Sequence, residues 1–427
     1  MKTNIETALS RRVWPACAAL FLAGLGTRVL LLILMRWRPY IEWAEMERLA
    51  RSLAETGTLA NPFYLPTGPS AHHAPLYPLL LALIFRAFGY GRSAAETMIA
   101  MNLTFAAAQF ALLPALARKL RLPVTAGVLA GALGAIPVRI LKELRWETTL
   151  NGLLLMACSF LAAHWLERAR RGAYWRPLAT GLLLGAAMIA LPMYLTVLLP
   201  FLALASARAW RRRETWLGLQ AATVLAGAAL GVSPWIARNY AQLGGFAFVR
   251  DNYPLELRIS NHDGVYLLSA GNYGDPSGYM RSHEPLTSPG QALLVRQMGE
   301  LGYNRLQLRE ALAWCGAHKT EFLRLTAERT LLFWFTFGDS QFFKSLGMAL
   351  LSAAALWGAV LLWRRRAGIW EPLLAIVIGF PLPYYFVEID TRYAYPMAWC
   401  LFLLAAWAVW ETWGAPPRGL SRPDSGS

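Results

Sequence analysis

Long apolar segments, separated by short clusters of arginine and lysine, dominate this sequence. The first extends from about residue 13 to about residue 35, and several later ones approach the length of about 20 residues that a helix needs to cross a bilayer. Segments that span lipid fold as helices, because lipid offers no hydrogen-bond partners to an unpaired backbone. With 56% hydrophobic residues in 427, the chain is predicted to be an all-α polytopic membrane protein rather than a soluble domain.

Membrane orientation explains the excess of basic residues. The chain has 41 lysines and arginines against 25 aspartates and glutamates, and short cytoplasmic loops of membrane proteins are rich in such cations. Lys2, Arg11 and Arg12 precede the first apolar segment, which predicts a cytoplasmic N-terminus. No nucleic-acid-binding signature accompanies the charge, so membrane lipids and not nucleic acid are the expected partners. Further cytoplasmic clusters are predicted at residues 118–121, 168–171, 208–213 and 364–366.

A topology of about ten transmembrane helices places these basic clusters on the cytoplasmic side. Residues 76–88 are too few for a comfortable span and are predicted to form a helix at the outer interface. Residues 177–207 are predicted to form two spans that turn near Pro192. The expected domains are an N-terminal transmembrane module (1–234), a small external domain (235–343), C-terminal transmembrane helices (344–413) and a disordered cytoplasmic tail (414–427).

The first predicted external loop, residues 36–95, concentrates ionisable groups. Glu42 and Glu45 lie three residues apart among good helix formers, so they are expected to share one helix face, where paired carboxylates can share a proton and supply a general base. A solvated amphipathic helix would show the same pattern. His72 and His73 are candidates for contacting a substrate or its phosphate, with polar anchoring at the interface as the alternative. Tyr77 is suited to head-group depth and is a further candidate for substrate binding.

The second predicted external loop, residues 139–148, combines cations with an acid. Arg139, Lys142 and Arg145 are three residues apart, which places them along one helical edge, and Glu147, a further catalytic candidate, begins the next span. Several guanidinium and ammonium groups can grip one phosphate, so this loop is predicted to bind a phosphate-bearing lipid. Head-group contact without catalysis is the alternative.

Polar residues interleaved with aromatic ones follow the seventh predicted span, a mixture typical of sugar-binding surfaces and also of ordinary external loops. Arg28 lies inside the first span, where a charge is a candidate for function or for pairing with a carboxylate. The further candidates for substrate binding are Arg238, Asn239, Arg250, Asn252, Glu256, Asn261, Arg392 and Tyr393.

No cofactor is predicted from the spacing of ligand-type residues. The four cysteines are scattered without a CxxC pair, and no tight cluster of histidine and aspartate stands in the sequence, so a divalent metal has no support at this level. Neither a GxGxxG nor a Walker sequence is present to bind a nucleotide.

Several motifs together resemble those of the GT-C glycosyltransferases, a superfamily that includes protein O-mannosyltransferases and the lipid A aminoarabinose transferase. The motifs are EMERLARSL from Glu45, TGTLANPF from Thr56, HAPLYP from His73, WETTL from Trp146, PWIARNY from Pro234, NYPLELRISN from Asn252 and RYAYP from Arg392. The sequence departs from the family in having Glu42 or Glu45 where an aspartate is usual, and Ala74 in place of a proline. The motif context favours Glu45 as the equivalent acid.

The resemblance implies a GT-C-type helical bundle and an inverting glycosyltransferase that uses a polyprenyl-phosphate sugar donor. The donor phosphate would meet Arg139, Lys142, Arg145 or Arg250, and Glu45 would deprotonate a lipid, glycan or protein acceptor. Glu45 and Glu147 are then expected to share one cavity, on the periplasmic side of a bacterial inner membrane with both termini cytoplasmic. The alternatives are a transporter or flippase of lipid-linked sugars and a non-catalytic envelope-assembly subunit.

Overall fold

The described part of the chain is built from helices. The computed structural model describes residues 2–137, 144, 146–265, 278–335, 342–387, 390 and 392–414, and within them the single extended pairing is a bridge between Ala60 and Pro69. The first half contains α1 (Lys2–Arg11), α2 (Val13–Leu34), α3 (Glu45–Thr56), α4 (Leu76–Phe88), α5 (Arg92–Ala111), α6 (Leu113–Lys119), α7 (Val124–Gly134), α8 (Thr148–Arg168), α9 (Trp175–Met188) and α10 (Tyr194–Arg211).

A long helix leads into the second half, which includes a helical insert between residues 244 and 335. The elements are α11 (Thr215–Leu243), α12 (Tyr253–Ser260), α13 (Tyr279–His283), α14 (Pro289–Met298), α15 (Glu300–Ala317), α16 (Lys319–Phe335), α17 (Phe342–Arg365), α18 (Glu371–Gly379) and α19 (Ala398–Gly414), with short 3-10 helices at Leu382–Tyr385 and Tyr395–Met397. The helix α11 continues nine residues past the predicted end at residue 234. The predicted tail, beyond its first residue, lies outside the described residues.

Four helices in the described residues are long and apolar enough to cross a membrane. They are α2, α8, α11 and the Leu346–Arg365 portion of α17, and α5 with α6 would add a fifth as one span bent by 41°. These helices make the chain a multi-pass membrane protein, while ten spans remain a prediction. The helix predicted at residues 76–88 is confirmed as α4, and the break predicted near Pro192 separates α9 from α10.

The short helix α7 is capped at both ends by charged side chains from the start of the chain. The Glu6 carboxylate accepts hydrogen bonds from the backbone N–H groups of Val124 (2.7 Å) and Thr125 (3.1 Å). At the other end, the fully buried Arg28 donates to the carbonyl oxygens of Gly134 (3.2 Å) and Ala135 (3.4 Å). These contacts satisfy orphan backbone groups and oppose the helix dipole. They stand at the two ends of this eleven-residue helix.

Replacing Arg28 with leucine should destabilise the protein, because the Gly134 carbonyl oxygen at the end of α7 would lose its guanidinium donor. The Ala135 carbonyl oxygen would keep the Thr27 hydroxyl. An unsatisfied buried acceptor costs about 1–3 kcal/mol, so we expect a clear fall in the midpoint of thermal unfolding in detergent. Arg92→Leu is the matched control, since Arg92 forms an exposed ion pair with Glu96 and such pairs contribute little. Equal midpoints for the two variants would contradict this role for Arg28.

Candidate active site

A cavity of about 720 Å³ opens between α3, the start of α8, the α9–α10 turn, the insert and the segment before α19. Glu45 and Glu147 both line it, which confirms that the two acids share one cavity, and Arg250 and Arg392 lie in the same lining. The other predicted site residues in the lining are Glu42, His72, His73, Asn252, Glu256 and Tyr393.

Glu42 and Glu45 do not share a helix face, so that prediction is wrong. The helix α3 begins at Glu45, and Ala44 before it is extended. Trp43 adopts a left-handed backbone conformation with φ of +54°, which is unfavourable for a bulky residue and ends any helix there. Its ring packs against Phe85, with ring centres 5.9 Å apart. Both carboxylates still reach the cavity, from a turn and from the first residue of α3.

Glu45, His72 and His73 form a compact group of potential metal ligands. One Glu45 oxygen lies 4.0 Å from Nε2 of His72, and the other lies 3.9 Å from Nε2 of His73. All three ligand atoms lie within 4.8 Å of one another. Bonds of about 2.0–2.2 Å from zinc to nitrogen or oxygen fit this spacing after a small contraction. Sequence spacing missed the group, because the chain between α3 and α4 has to fold back to bring the histidines to Glu45.

The protonation states of this group suit a cation. Burial raises the pKa of Glu45, but the adjacent His73 and His72 outweigh burial and lower it to about 2, so the carboxylate is ionised. Burial, with the charges of His73 and Arg250, lowers the pKa of His72 to about 3, so this imidazole is neutral at neutral pH. Metal binding requires an ionised carboxylate and neutral imidazole. The donor set therefore fits a transition metal such as Zn²⁺.

A chain of hydrogen bonds links three residues of the insert that form part of the cavity wall. Nε of Arg250 donates to Oδ1 of Asn252 (2.6 Å), and Nδ2 of Asn252 donates to Oε1 of Glu256 (2.8 Å). Burial raises the pKa of Glu256, although the positive charges of Arg250 and Arg392 oppose this shift. The wall thus presents a fixed guanidinium group beside a carboxyl group that gains a proton more readily than usual.

Arg392 is held by contacts from two parts of the chain. Its guanidinium carbon lies 3.8 Å from the centre of the Trp146 ring, and its Nε lies 3.6 Å from Oδ2 of Asp390. Trp146 immediately precedes Glu147, so this stacking contact holds Arg392 beside the segment that carries Glu147. Trp146 was not among the predicted site residues, although it stands in the WETTL motif.

Polar residues at the start of α8 also line the cavity. Glu147 is the N-cap residue of α8, and its Oε2 is buried with no hydrogen-bond partner among the described residues. Asn151, one turn later, lines the cavity, and its Oδ1 is likewise without a partner in the described part of the chain. The sequence does carry a signal for Asn151, because a polar residue stands one turn after an acid inside an apolar segment.

Four of the predicted binding residues that the structure describes lie outside the cavity lining, and two of them hold neighbouring segments. The Tyr77 hydroxyl accepts a hydrogen bond from Nδ2 of Asn102 (2.8 Å) in the interior. Arg238 donates to the carbonyl oxygens of Ser70 (3.0 Å) and Leu59 (3.3 Å) and so holds the loop that carries the two histidines. Their placement favours a role in positioning this loop and α4.

The other two residues outside the lining are asparagines. Nδ2 of Asn239 donates to the carbonyl oxygens of Ala247, Phe248 and Val249 at 3.2–3.4 Å. Asn261 accepts from the buried Arg329 (2.9 Å) and donates to the carbonyl oxygen of Phe386 (3.0 Å), which ties the insert to the segment before Arg392. Arg139, Lys142 and Arg145 lie outside the described residues.

Solved structures of similar fold come from the archaeon Archaeoglobus fulgidus. Its oligosaccharyltransferase in the apo form matches with a TM-score of 0.56 and 16% identity over 94% of this chain, and the same enzyme tethered to an acceptor peptide matches with a TM-score of 0.58 and 16% identity over 95%. The chain has the fold of this oligosaccharyltransferase. It spans about half the length of these enzymes, 51% and 50% respectively.

Two further structures from the same organism contain bound molecules. One is a complex with Zn and sulfate, and one is AglB in complex with an inhibitory peptide and a dolichol-phosphate; each has a TM-score of 0.54, and they cover 93% of this chain at 16% and 15% identity, and 49% and 50% of the enzyme. No family model and no curated protein matches the sequence. The likeness is therefore one of fold.

The purified protein should bind Zn²⁺ through Glu45, His72 and His73. Glu45→Gln and His72→Asn each remove one ligand, so each variant should bind Zn²⁺ about tenfold more weakly in calorimetric titration, which corresponds to about 1.4 kcal/mol. The exposed His318 offers a matched control, and His318→Asn should leave the affinity unchanged. Affinity that is the same in all three variants would contradict the site.

Proposed function

We propose that this protein is an inverting glycosyltransferase that moves a sugar from a polyprenyl-phosphate donor to a lipid, glycan or protein acceptor. The observation that carries the proposal is the meeting of Glu45, Glu147, Arg250 and Arg392 in one cavity of a GT-C fold. The proposed location is a bacterial inner membrane, with the cavity on the periplasmic side and both termini in the cytoplasm.

The cavity has a polar part and an apolar part, as a lipid-linked sugar requires. Arg250 and Arg392 approach from separate segments and would bind the donor phosphate through charge-assisted hydrogen bonds. The α9–α10 turn and the 3-10 helix Leu382–Tyr385 supply apolar lining at Leu191, Met193 and Leu382. We place the start of the isoprenoid chain against this apolar lining.

The balance of charge supports a bound divalent cation. Among the described residues, five glutamates and two arginines line the cavity, and a donor phosphate adds more negative charge. A cation held by Glu45, His72 and His73 would supply positive charge and act as a Lewis acid toward the phosphate. Glu45, with its lowered pKa, is better suited to holding a cation than to accepting a proton.

The proposed transfer uses Glu147 as the general base. Its unpartnered Oε2 takes the proton from an acceptor hydroxyl or amine, and the acceptor atom attacks the anomeric carbon of the donor. The bond from that carbon to the phosphate oxygen breaks on the opposite face, which inverts the configuration. Arg250 and Arg392 stabilise the negative charge on the departing polyprenyl phosphate. Glu42, which also lines the cavity, is the second candidate for the base.

Mass spectrometry of lipid-linked sugars and envelope glycans, in cells with and without the protein, tests the proposed function. Loss of the protein should cause one polyprenyl-phosphate sugar to accumulate and one glycan to disappear. A transporter or flippase would instead move the lipid between leaflets without forming a transfer product in reconstituted vesicles. Absence of any change in either lipid or glycan would favour a non-catalytic assembly subunit.

Glu147→Gln should abolish most transfer while leaving the fold intact, because the amide cannot accept the proton. Loss of a general base costs about 10²–10⁴-fold in rate. Glu55→Gln is the control, since Glu55 pairs with Arg51 at the exposed end of α3. Normal transfer by a Glu147→Gln protein made at wild-type levels would remove Glu147 from this role.

Arg392→Lys should raise the KM for the donor about tenfold with a smaller change in kcat. Lysine keeps the charge but loses the planar group that stacks on Trp146 and grips a phosphate through two donors. Arg296→Lys, on the exposed face of α14, serves as the control. An unchanged KM in steady-state kinetics would show that Arg392 does not bind the donor phosphate.

A further inference from the structure

A pair of buried acids lies behind the loop that carries His72 and His73. Asp251 belongs to the segment between α11 and α12, and Glu300 is the first residue of α15. Neither acid lines the cavity, and the proposed transfer does not use them.

The two acids hold both backbone groups of Ala71. The N–H of Ala71 donates to Oε1 of Glu300 (2.6 Å), and its carbonyl oxygen accepts from the N–H of Asp251 (3.0 Å). The next residue, His72, donates its N–H to Oγ of Ser70 (3.0 Å). The Glu300 carboxyl group therefore anchors the chain one residue before the first histidine.

Three of the four carboxylate oxygens of the pair lack a hydrogen-bond donor when both acids are ionised. Both carboxylate oxygens of Asp251 and Oε2 of Glu300 are buried, and among the described residues no donor reaches them with acceptable geometry. A proton on one carboxyl group would satisfy this need, because it would donate to the other. Buried acceptors without donors are costly, which favours the state that holds the proton.

The surrounding charges do not replace that proton. The groups that face Asp251 are Glu300, Asn304 and Arg250, and those that face Glu300 include Ser70 and Arg238. Neither arginine forms an ion pair with Asp251 or Glu300 in the described structure. Burial is the main cause that raises the pKa of both carboxyl groups, and the charge of Asp251 raises that of Glu300 further.

We propose that Asp251 and Glu300 share one proton, and that the singly protonated pair is a positioning device that fixes the loop bearing His72 and His73. Loss of the proton places two negative charges side by side, and their repulsion opposes the position from which Glu300 holds Ala71. The shared proton does not depend on the proposed function. The effect of the shared proton on the cation site does rest on the proposed function.

The sign of the pH dependence follows from the raised pKa values. The stability that the protonated pair contributes is fully present below the unfolded pKa of about 4.3 for glutamate, and it is lost as pH rises through the higher pKa of the folded state. Glu300→Gln keeps an oxygen for the Ala71 N–H and supplies an N–H₂ donor to Asp251. The amide thus mimics the protonated acid but cannot ionise.

The test compares thermal unfolding of the full-length wild type, Glu300→Gln and Glu300→Ala in detergent between about pH 6 and about pH 9. The wild-type midpoint should fall more steeply with pH than that of Glu300→Gln, and Glu300→Ala should be less stable throughout. The control is Glu310→Gln, an exposed acid of the same helix, which should follow the wild type. Parallel curves for wild type and Glu300→Gln, or a Glu300→Gln protein that fails to fold, would overturn the shared proton.

Zn²⁺ titration near neutral pH separates the positioning role from stability. Glu300→Ala should bind Zn²⁺ about tenfold more weakly, and Glu300→Gln should restore the affinity to within about twofold of wild type. Equal affinity in Glu300→Ala and wild type would overturn the positioning role. If the wild type did not bind Zn²⁺, that result would contradict the cation site and the positioning role. The unfolding comparison would then test the shared proton by itself.

Discussion

The loop between α3 and α4 is about half buried and has little regular secondary structure, so its buried backbone polar groups need partners from elsewhere in the chain. Arg48 donates to the Phe63 carbonyl oxygen (2.7 Å), and Arg238 donates to two carbonyl oxygens of the loop. Glu300 accepts the N–H of Ala71. The two histidines reach Glu45 because these distant side chains hold the loop in place, and the cavity depends on that arrangement.

The parts of the fold that local pattern governs could be predicted from the sequence. Pro75 and Gly89 border α4, and its bounds agree with the apolar run between them. The break near Pro192 follows from the length of its apolar run and the arginines at both ends. The shared cavity of Glu45 and Glu147 was also predictable, because both acids stand beside apolar segments in motifs that resemble one superfamily.

Features that depend on long-range contacts could not be predicted. Trp43 takes a left-handed conformation because its ring packs against α4 and its carbonyl oxygen accepts a hydrogen bond from Arg48 (3.0 Å), and these contacts override local helix preference. The metal-ligand group joins residues from separate elements, which spacing along the chain does not reveal. Arg238 and Asn261 look like surface binding residues in the sequence, whereas their carbonyl partners lie inside the fold.

The capping of α7 has a consequence for assembly in the membrane. Eleven residues give a helix of about 16 Å, roughly half the thickness of the hydrocarbon core, and each of its ends has backbone groups that the helix itself cannot pair. Glu6 and Arg28, which satisfy those ends, are synthesised about a hundred residues earlier. The opening helices are therefore made before α7. When α7 is synthesised, it can dock against them and pair its terminal backbone groups with Glu6 and Arg28.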